Sequence, residues 1–216
     1  MTTPLMEINR YTVGPFGENT YLLTKEGQAL IVDPGFVEDA EFKKVHSQLN
    51  DQELELIGVV LTHAHVDHVL GLQRVLDAYE VPVYLSDKDR YLWNNFSSQA
   101  AMFGLQADGF DFDPQPLPVT SDWELGNFTF DLRYTPGHAP DHVSLYISES
   151  EALIAGDTLF KEGIGRTDLY KGDFKVLEQS IKEELYSLPD GTVVYPGHGP
   201  ETTIAHEKQS NPFVKA

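Results

Sequence analysis

Apolar residues in this chain fall into short runs between turn signals: Thr20-Thr24, Ala29-Val32, Ile57-Leu61, Val81-Leu85, Phe128-Tyr134, Val143-Ile147, Ala152-Ala155 and Thr192-Tyr195. Their length and β-branched content predict buried strands. A helical apolar period appears at Phe42, Val45 and Leu49, at Leu72, Val75, Leu76 and Tyr79, and at Phe174, Leu177, Ile181, Leu185 and Leu188. A further helix is expected after Ser86, where Ser86-Asp87-Lys88-Asp89 resembles a capping box with Asp in place of the usual Glu. Strands and helices interleave through both halves, so the predicted fold class is α/β or α+β, with helices covering sheet faces. The Pro- and Asp-rich stretch from Asp108 to Asp122 reads as a long surface connection inside one domain spanning residues 1–216.

Four of the apolar runs stop at a residue type that binds metal. Ile57-Leu61 leads to Thr62-His63, Phe128-Tyr134 to Thr135-Pro-Gly-His138, Ala152-Ala155 to Gly156-Asp157, and Thr192-Tyr195 to Pro196-Gly-His198. Side chains just past strand ends can converge on one rim, where the sheet supplies rigidity and the loops supply function. Glycine stands directly before three of these four residues, which fits close approach of the backbone to something bound.

Composition narrows the chemistry. With 41% hydrophobic and 11% aromatic residues in 216, the chain can build a sizeable core. It contains no cysteine, so disulfides, thiolate metal sites, iron–sulfur clusters and a cysteine nucleophile are all excluded. Any metal must be held by histidine and carboxylate. The formal charge of -19, with no Lys/Arg-rich run, disfavours nucleic acid as a partner. No segment approaches the roughly 18 consecutive apolar residues that span a membrane. Met1 to Arg10 lacks the basic and apolar regions of an export signal, so the cytoplasm is the expected compartment.

The run His63-Ala-His65-Val-Asp67-His68 places three histidines and an aspartate within six residues beside an apolar strand. A solvated surface seldom concentrates them so. Two imidazoles separated by one residue can close on one ion, and Asp67 and His68 follow at the expected start of the helix that ends near Tyr79. One ion would take His63, His65 and His138; the other would take Asp67, His68 and His198, with Asp157 able to bridge both. This donor set suits zinc or iron rather than magnesium or calcium. Two ions about 3.5–4 Å apart can share a water and lower its pKa toward neutrality, supplying a hydroxide nucleophile, while also polarising a scissile carbonyl. Asp67 could orient that nucleophile or accept its proton. Lone histidines are ordinarily surface or core residues, and His46 and His206 are read so. His142 is either an i,i+4 companion of His138 or, because Pro140 disfavours a helix there, a supporting residue. Asp33 is either a turn former before Pro34 or a carboxylate accepting a ligand histidine's other N–H.

These residues resemble the metallo-β-lactamase superfamily, whose HxHxDH motif spans His63 to His68. Val32-Asp-Pro-Gly35, Thr135-Pro-Gly-His138, Gly156-Asp157 and Pro196-Gly-His198 occur in the superfamily's order. The resemblance implies a four-layer αββα sandwich with the metal site at one edge of the two sheets, and the same ligand assignment. Gly156-Asp-Thr-Leu-Phe160 through Gly163-Ile-Gly-Arg-Thr-Asp168 is similar to the glyoxalase II branch, the hydroxyacylglutathione hydrolases. That implies a cytoplasmic dinuclear zinc hydrolase, with iron or manganese as substitutes, acting on a small acyl thioester. Where that family offers a Lys and a Tyr to glutathione, this chain offers Arg166 and Asp168, and Arg166 could hold a substrate carboxylate. Only Glu201 to Ala216 follow the last ligand, in place of the family's larger C-terminal helical region. A mononuclear-iron persulfide dioxygenase of the same superfamily shares these motifs and is the alternative. A catalytically inactive binding protein is the third reading, and the full ligand set argues against it.

Overall fold

A computed structural model of the chain describes residues 6–216. Residues 1–5, part of the stretch read for an export signal, lie outside them. The chain divides into two compact units, Met1–Leu117 with Glu124–Phe128, and Pro118–Trp123 with Thr129–Ala216.

In the first unit, β1 (Glu7–Val13), β2 (Glu18–Lys25), β3 (Gln28–Val32), β4 (Glu55–Val60), β5 (Val83–Leu85) and β6 (Gln115–Pro116) form one sheet in chain order. The first three pair antiparallel, and from β3 onward the pairing is parallel. The parallel strands are the most apolar: Leu30, Ile31, Val32, Val59 and Val60 are all fully buried. Each such side chain contributes about 1.5–3 kcal/mol. The periodicity did not predict β1, because this edge strand alternates exposed and half-buried positions instead of forming an apolar run.

Helix α1 (Asp39–Asp51) carries β3 over to β4, and a capping box between Glu38 and Glu41 starts it. Helix α2 (Leu72–Ala78) follows β4, and α3 (Tyr91–Asn94) and α4 (Phe96–Met102) follow β5. Two expectations are corrected here. Asp67 and His68 do not open α2; Val66–His68 is a separate 3-10 turn, closed by His68 N–H to His65 O at 3.1 Å, and α2 begins at Leu72. Nor do Ser86 and Asp89 form a capping box. Ser86 Oγ accepts the Lys88 N–H, and Asp89 Oδ1 accepts the Tyr91 N–H at 2.8 Å, so two successive turns delay the helix to Tyr91. Within the Asp108–Asp122 connection, Phe110 stacks on Trp93 with ring centroids 4.6 Å apart, which ties its first part down.

The strands of the second sheet, most of which belongs to the second unit, are β7 (Trp123–Leu125), β8 (Phe128–Tyr134), β9 (Val143–Ile147), β10 (Ala152–Gly156), β13 (Val193–Pro196) and β14 (Thr202–Thr203), with a separate hairpin of β11 (Leu159–Phe160) and β12 (Gly163–Ile164). The sheet order is β14-β13-β10-β9-β8-β7, and β10 and β13 lie side by side in parallel. Helix α5 (Phe174–Ser180) is capped by Asp173, whose Oδ1 accepts the Lys175 and Val176 N–H groups, and it runs on into a π-helical turn at Ile181–Leu185. Of the predicted apolar stripe of this helix, Leu177, Ile181, Leu185 and Leu188 pack with Leu153, Ala155 and Val194 of the sheet, whereas Phe174 at its start is exposed. The chain closes with α6 (Ile204–Ser210), capped by the Thr203 hydroxyl, and Ile204 and Val214 join the same core. Among the described residues no helix is long and apolar enough to cross a membrane.

Candidate metal centre

The first unit presents the His63–His68 run directly after β4. His63, His65 and His68 are buried, with the His63 ring 4.8 Å from that of His65 and 4.2 Å from that of His68. One carboxylate organises them. Asp33 ends β3 in the left-handed region at φ 51° and accepts the Thr62 N–H on Oδ1 at 2.7 Å; its Oδ2 accepts the Thr62 hydroxyl at 2.6 Å and His68 Nδ1–H at 3.0 Å. The second reading of Asp33 therefore holds, its carboxylate orienting a histidine, while residues 33–37 form no regular turn.

These bonds settle tautomers. A carboxylate only accepts, so His68 carries its proton on Nδ1 and its lone pair on Nε2. Thr62 spends its one proton on Asp33 and so accepts from His63 Nδ1, 3.0 Å away, which gives His63 the same tautomer. Neutral imidazole with a fixed lone-pair nitrogen is the form that binds a cation. Donor atoms of Asp33, His63 and His68 all lie within 4.8 Å of one another. Asp67 is partly exposed, its Oδ2 4.0 Å from His68 Nε2.

Sequence reasoning missed two residues around this run. Glu18 is buried at the head of β2, 3.8 Å from His68 Nδ1, and accepts the Thr20 hydroxyl at 2.9 Å. Burial pushes its carboxyl well above the usual range; His68 opposes the shift, Asp33 adds to it, the Thr20 hydroxyl opposes it and Asp67 adds to it. Gln99 of α4 donates to the carbonyl of Ala64, between the first two histidines, at 3.0 Å. Neither carried a signal in the sequence: Glu18 opens a strand of mixed polarity, ENTYLLTK, and Gln99 sits in a short helix among polar and small residues.

The second unit presents His138, Asp157 and His198. Because β10 and β13 are parallel neighbours with Gly156 opposite Pro196, Asp157 and His198 leave the sheet side by side, and Gly197 N–H bonds Gly156 O at 2.7 Å. Asp157 Oδ2 is 3.4 Å from His138 Nε2 and 3.5 Å from His198 Nε2. Ligand atoms about 2.1 Å from a tetrahedrally bound zinc lie about 3.4 Å from each other, so Asp157 Oδ2 stands at ligand-edge distance from each of these two nitrogens. His138 Nδ1 donates to the carbonyl of Arg166 at 2.8 Å, which again leaves Nε2 as the lone-pair nitrogen. His142 is buried and accepts the Asp157 N–H on Nε2 at 3.0 Å, with Thr135 Oγ1 2.9 Å from Nδ1. It fastens Asp157's backbone rather than pairing with His138.

The glycine before His138 has a packing reason: a Cβ on Gly137, at φ 122°, would overlap the backbone of Leu177 in α5. Arg166 reaches the centre through its carbonyl. Its guanidinium is exposed and forks onto Asp168 at 2.6 and 2.7 Å, a hydrogen-bonded pairing that lowers the Asp168 carboxyl to about 2. His46 pairs with Tyr79 and His206 with Glu162, each away from the ligand groups.

These features define a mixed α/β protein with two sheets and with histidine–aspartate groups able to hold metal. The chain belongs to the metallo-β-lactamase superfamily, whose sequence profile matches residues 13–198. It is 37% identical over 214 residues to the probable metallo-hydrolase YqgX of Bacillus subtilis (strain 168), covering 97% of this chain and 98% of that one. It is 35% identical over 214 residues to the hydroxyacylglutathione hydrolase GloC of Haemophilus influenzae, covering 98% and 99%. The crystal structure of the BLEG-1 B3 metallo-β-lactamase matches with a TM-score of 0.86 at 35% identity, over 97% of this chain and 100% of that one. TTHA1623 in a di-iron-bound form matches with a TM-score of 0.84 at 35% identity, over 95% and 100%. The fold is that of this superfamily, as the sequence motifs implied.

Proposed function

We propose that the chain is a metal-dependent hydrolase of small acyl thioesters, similar in activity to the hydroxyacylglutathione hydrolases. The observation that carries the metal chemistry is the pair of imidazole nitrogens, from His138 and His198, at ligand-edge distance from one Asp157 oxygen. Similarity to GloC over nearly the whole chain supports the thioester. In this reading His63, His65 and His138 would hold one zinc ion and Asp67, His68 and His198 a second, with Asp157 the carboxylate available to both. When bound, such ions lower the pKa of a shared water and polarise the scissile carbonyl.

The chain's own residues do the rest. Asp33, Thr62 and the Arg166 carbonyl fix His68, His63 and His138 in the tautomer that offers Nε2. Asp67, partly exposed, orients the attacking water and takes up its proton. Arg166 is the candidate for a substrate carboxylate, which would have to displace Asp168 from the guanidinium.

Elemental analysis of protein purified without added metal, followed by assay on S-lactoylglutathione, other acyl thioesters and a chromogenic β-lactam, tests the proposal. About two metals per chain and thioester cleavage are expected. Metal-replete protein inert on every thioester would sink it, and cleavage of the β-lactam alone would move the activity to the class named for BLEG-1. The di-iron-bound form of TTHA1623 makes iron a candidate in place of zinc, and one other reading is a mononuclear-iron persulfide dioxygenase. Oxygen uptake with glutathione persulfide by protein holding a single iron would establish persulfide dioxygenation instead.

A further inference from the structure

The short segment after the last ligand histidine contains a buried carboxylate that the proposed chemistry leaves without a role. Glu207, in the middle of α6, is fully buried. Its Oε1 accepts the Thr202 hydroxyl at 2.6 Å, and its Oε2 accepts the backbone N–H of Glu162 and the Asn211 side-chain amide, both at 2.9 Å. Asn211, just past the end of α6, donates to the carbonyl of Gly163 at 3.0 Å. Both residues grip one place, the turn between β11 and β12.

That hairpin leads to the metal ligands. It leaves the sheet directly after Asp157 and returns through β12 to Gly165 and Arg166, with Leu159 opposite Ile164 and Phe160 opposite Gly163. A Cβ on Gly165 would overlap the Asp157 carbonyl oxygen and lie 2.9 Å from His138 Nδ1, so the returning strand presses on both ligand residues. The next carbonyl, that of Arg166, receives the His138 Nδ1–H. Since a carbonyl can be aimed only by its backbone, the hairpin's path decides where His138 points. The register of β12 is fixed at one end by Asp157 and at the other by Glu207 and Asn211.

We propose that Glu207, with Asn211, is a positioning residue for the metal centre: α6 clamps the β11–β12 turn so that the Arg166 carbonyl holds His138 in its ligating orientation. The inference rests on the metal assignment proposed above. It gives the short C-terminal segment a task inside the centre rather than in substrate recognition.

The test is titration of metal-free protein with cobalt(II), and with zinc in competition with a chromophoric chelator, read as two dissociation constants and a visible cobalt spectrum. Thermal midpoints of the metal-free proteins are measured alongside. Glu207→Ala should weaken one of the two sites about tenfold, at the low end of the effect of removing a ligand's hydrogen-bond partner, and leave the other unchanged. The cobalt band of the weakened site should shift. Glu207→Gln should restore binding, because its carbonyl can still accept from Glu162 and its amide can donate to the Thr202 hydroxyl, which then accepts. Should Glu207→Ala fail to fold, Asn211→Ala removes the Gly163 contact and should weaken the same site. A lowered thermal midpoint with both constants and the cobalt spectrum unchanged would make the clamp structural only and overturn the inference. Wild-type protein that takes up no cobalt would overturn the metal centre itself, and the inference with it.

Discussion

The two units orient their histidines by different means. In the first, side chains do it: the Asp33 carboxylate holds His68 directly and His63 through the Thr62 hydroxyl. In the second, backbone does it: the Arg166 carbonyl holds His138, and the Asp157 N–H is itself held, by His142. Both arrangements leave the imidazole lone pair on Nε2. They differ in what a mutation can reach, since a side-chain acceptor is removed by one substitution while a carbonyl is lost only if the chain moves. Changes of side chain should therefore be felt in the first unit, and changes of path in the second.

The hardest break in that comparison is Gly165→Ala. The new methyl would overlap the Asp157 carbonyl oxygen, a backbone atom with nowhere cheap to go. Overpacking of this kind costs about 1–3 kcal/mol, and displacement of the next carbonyl from His138 should weaken one metal site about 100-fold, the upper end for loss of a ligand's support. Chelator competition and thermal melting together read both effects. Melting unchanged and metal held as tightly as before would contradict the role given to the hairpin.

Next in size is Asp33→Asn. Asparagine tolerates the left-handed backbone found there, so the fold should survive. An amide, however, cannot accept at both positions where the carboxylate does. Wherever its nitrogen faces His68 Nδ1, the imidazole is driven to the opposite tautomer, with a proton on Nε2. Metal affinity should fall about tenfold or more, mainly at the site that uses His68. Equal loss at both sites would show that the carboxylate acts through charge and not through tautomer. Thr62→Val is the milder version, leaving Asp33 and His68 together and removing only the relay to His63. One hydrogen bond is worth about 1 kcal/mol, so about fivefold weaker binding is expected in the same titration.

The split between side chain and backbone also explains what could be read in advance. Apolar runs announced β2–β5, β8–β10 and β13, because buried parallel and central strands have few polar positions. The residue types at their ends that can bind metal were equally plain, and the superfamily's fold followed from the same motifs. What stayed hidden depends on placement that no local pattern encodes. Glu207 and Glu18 look like any surface acid until the fold buries them. The Arg166 carbonyl is invisible in a one-letter code that records side chains only. Ser86-Asp87-Lys88-Asp89 offered two overlapping turn formers as well as a cap, and the chain took the turns.

The smallest expected effect gives the comparison its sharpest form. Arg166→Ala removes the exposed guanidinium and its fork with Asp168 but leaves the carbonyl that holds His138. A solvent-exposed pair adds little to stability, so the thermal midpoint should barely change. Both metal constants should stay within about twofold, although the substituted residue's own carbonyl bonds a proposed ligand. Any change should appear in KM for thioesters that bear a carboxylate, with kcat preserved, because the side chain would bind substrate in ground and transition states alike. A substrate without a carboxylate should show no change at all. If Arg166→Ala instead stripped metal from the protein, the side chain would be shaping the path of its own backbone, and the distinction between the two units would fail where it is drawn most sharply.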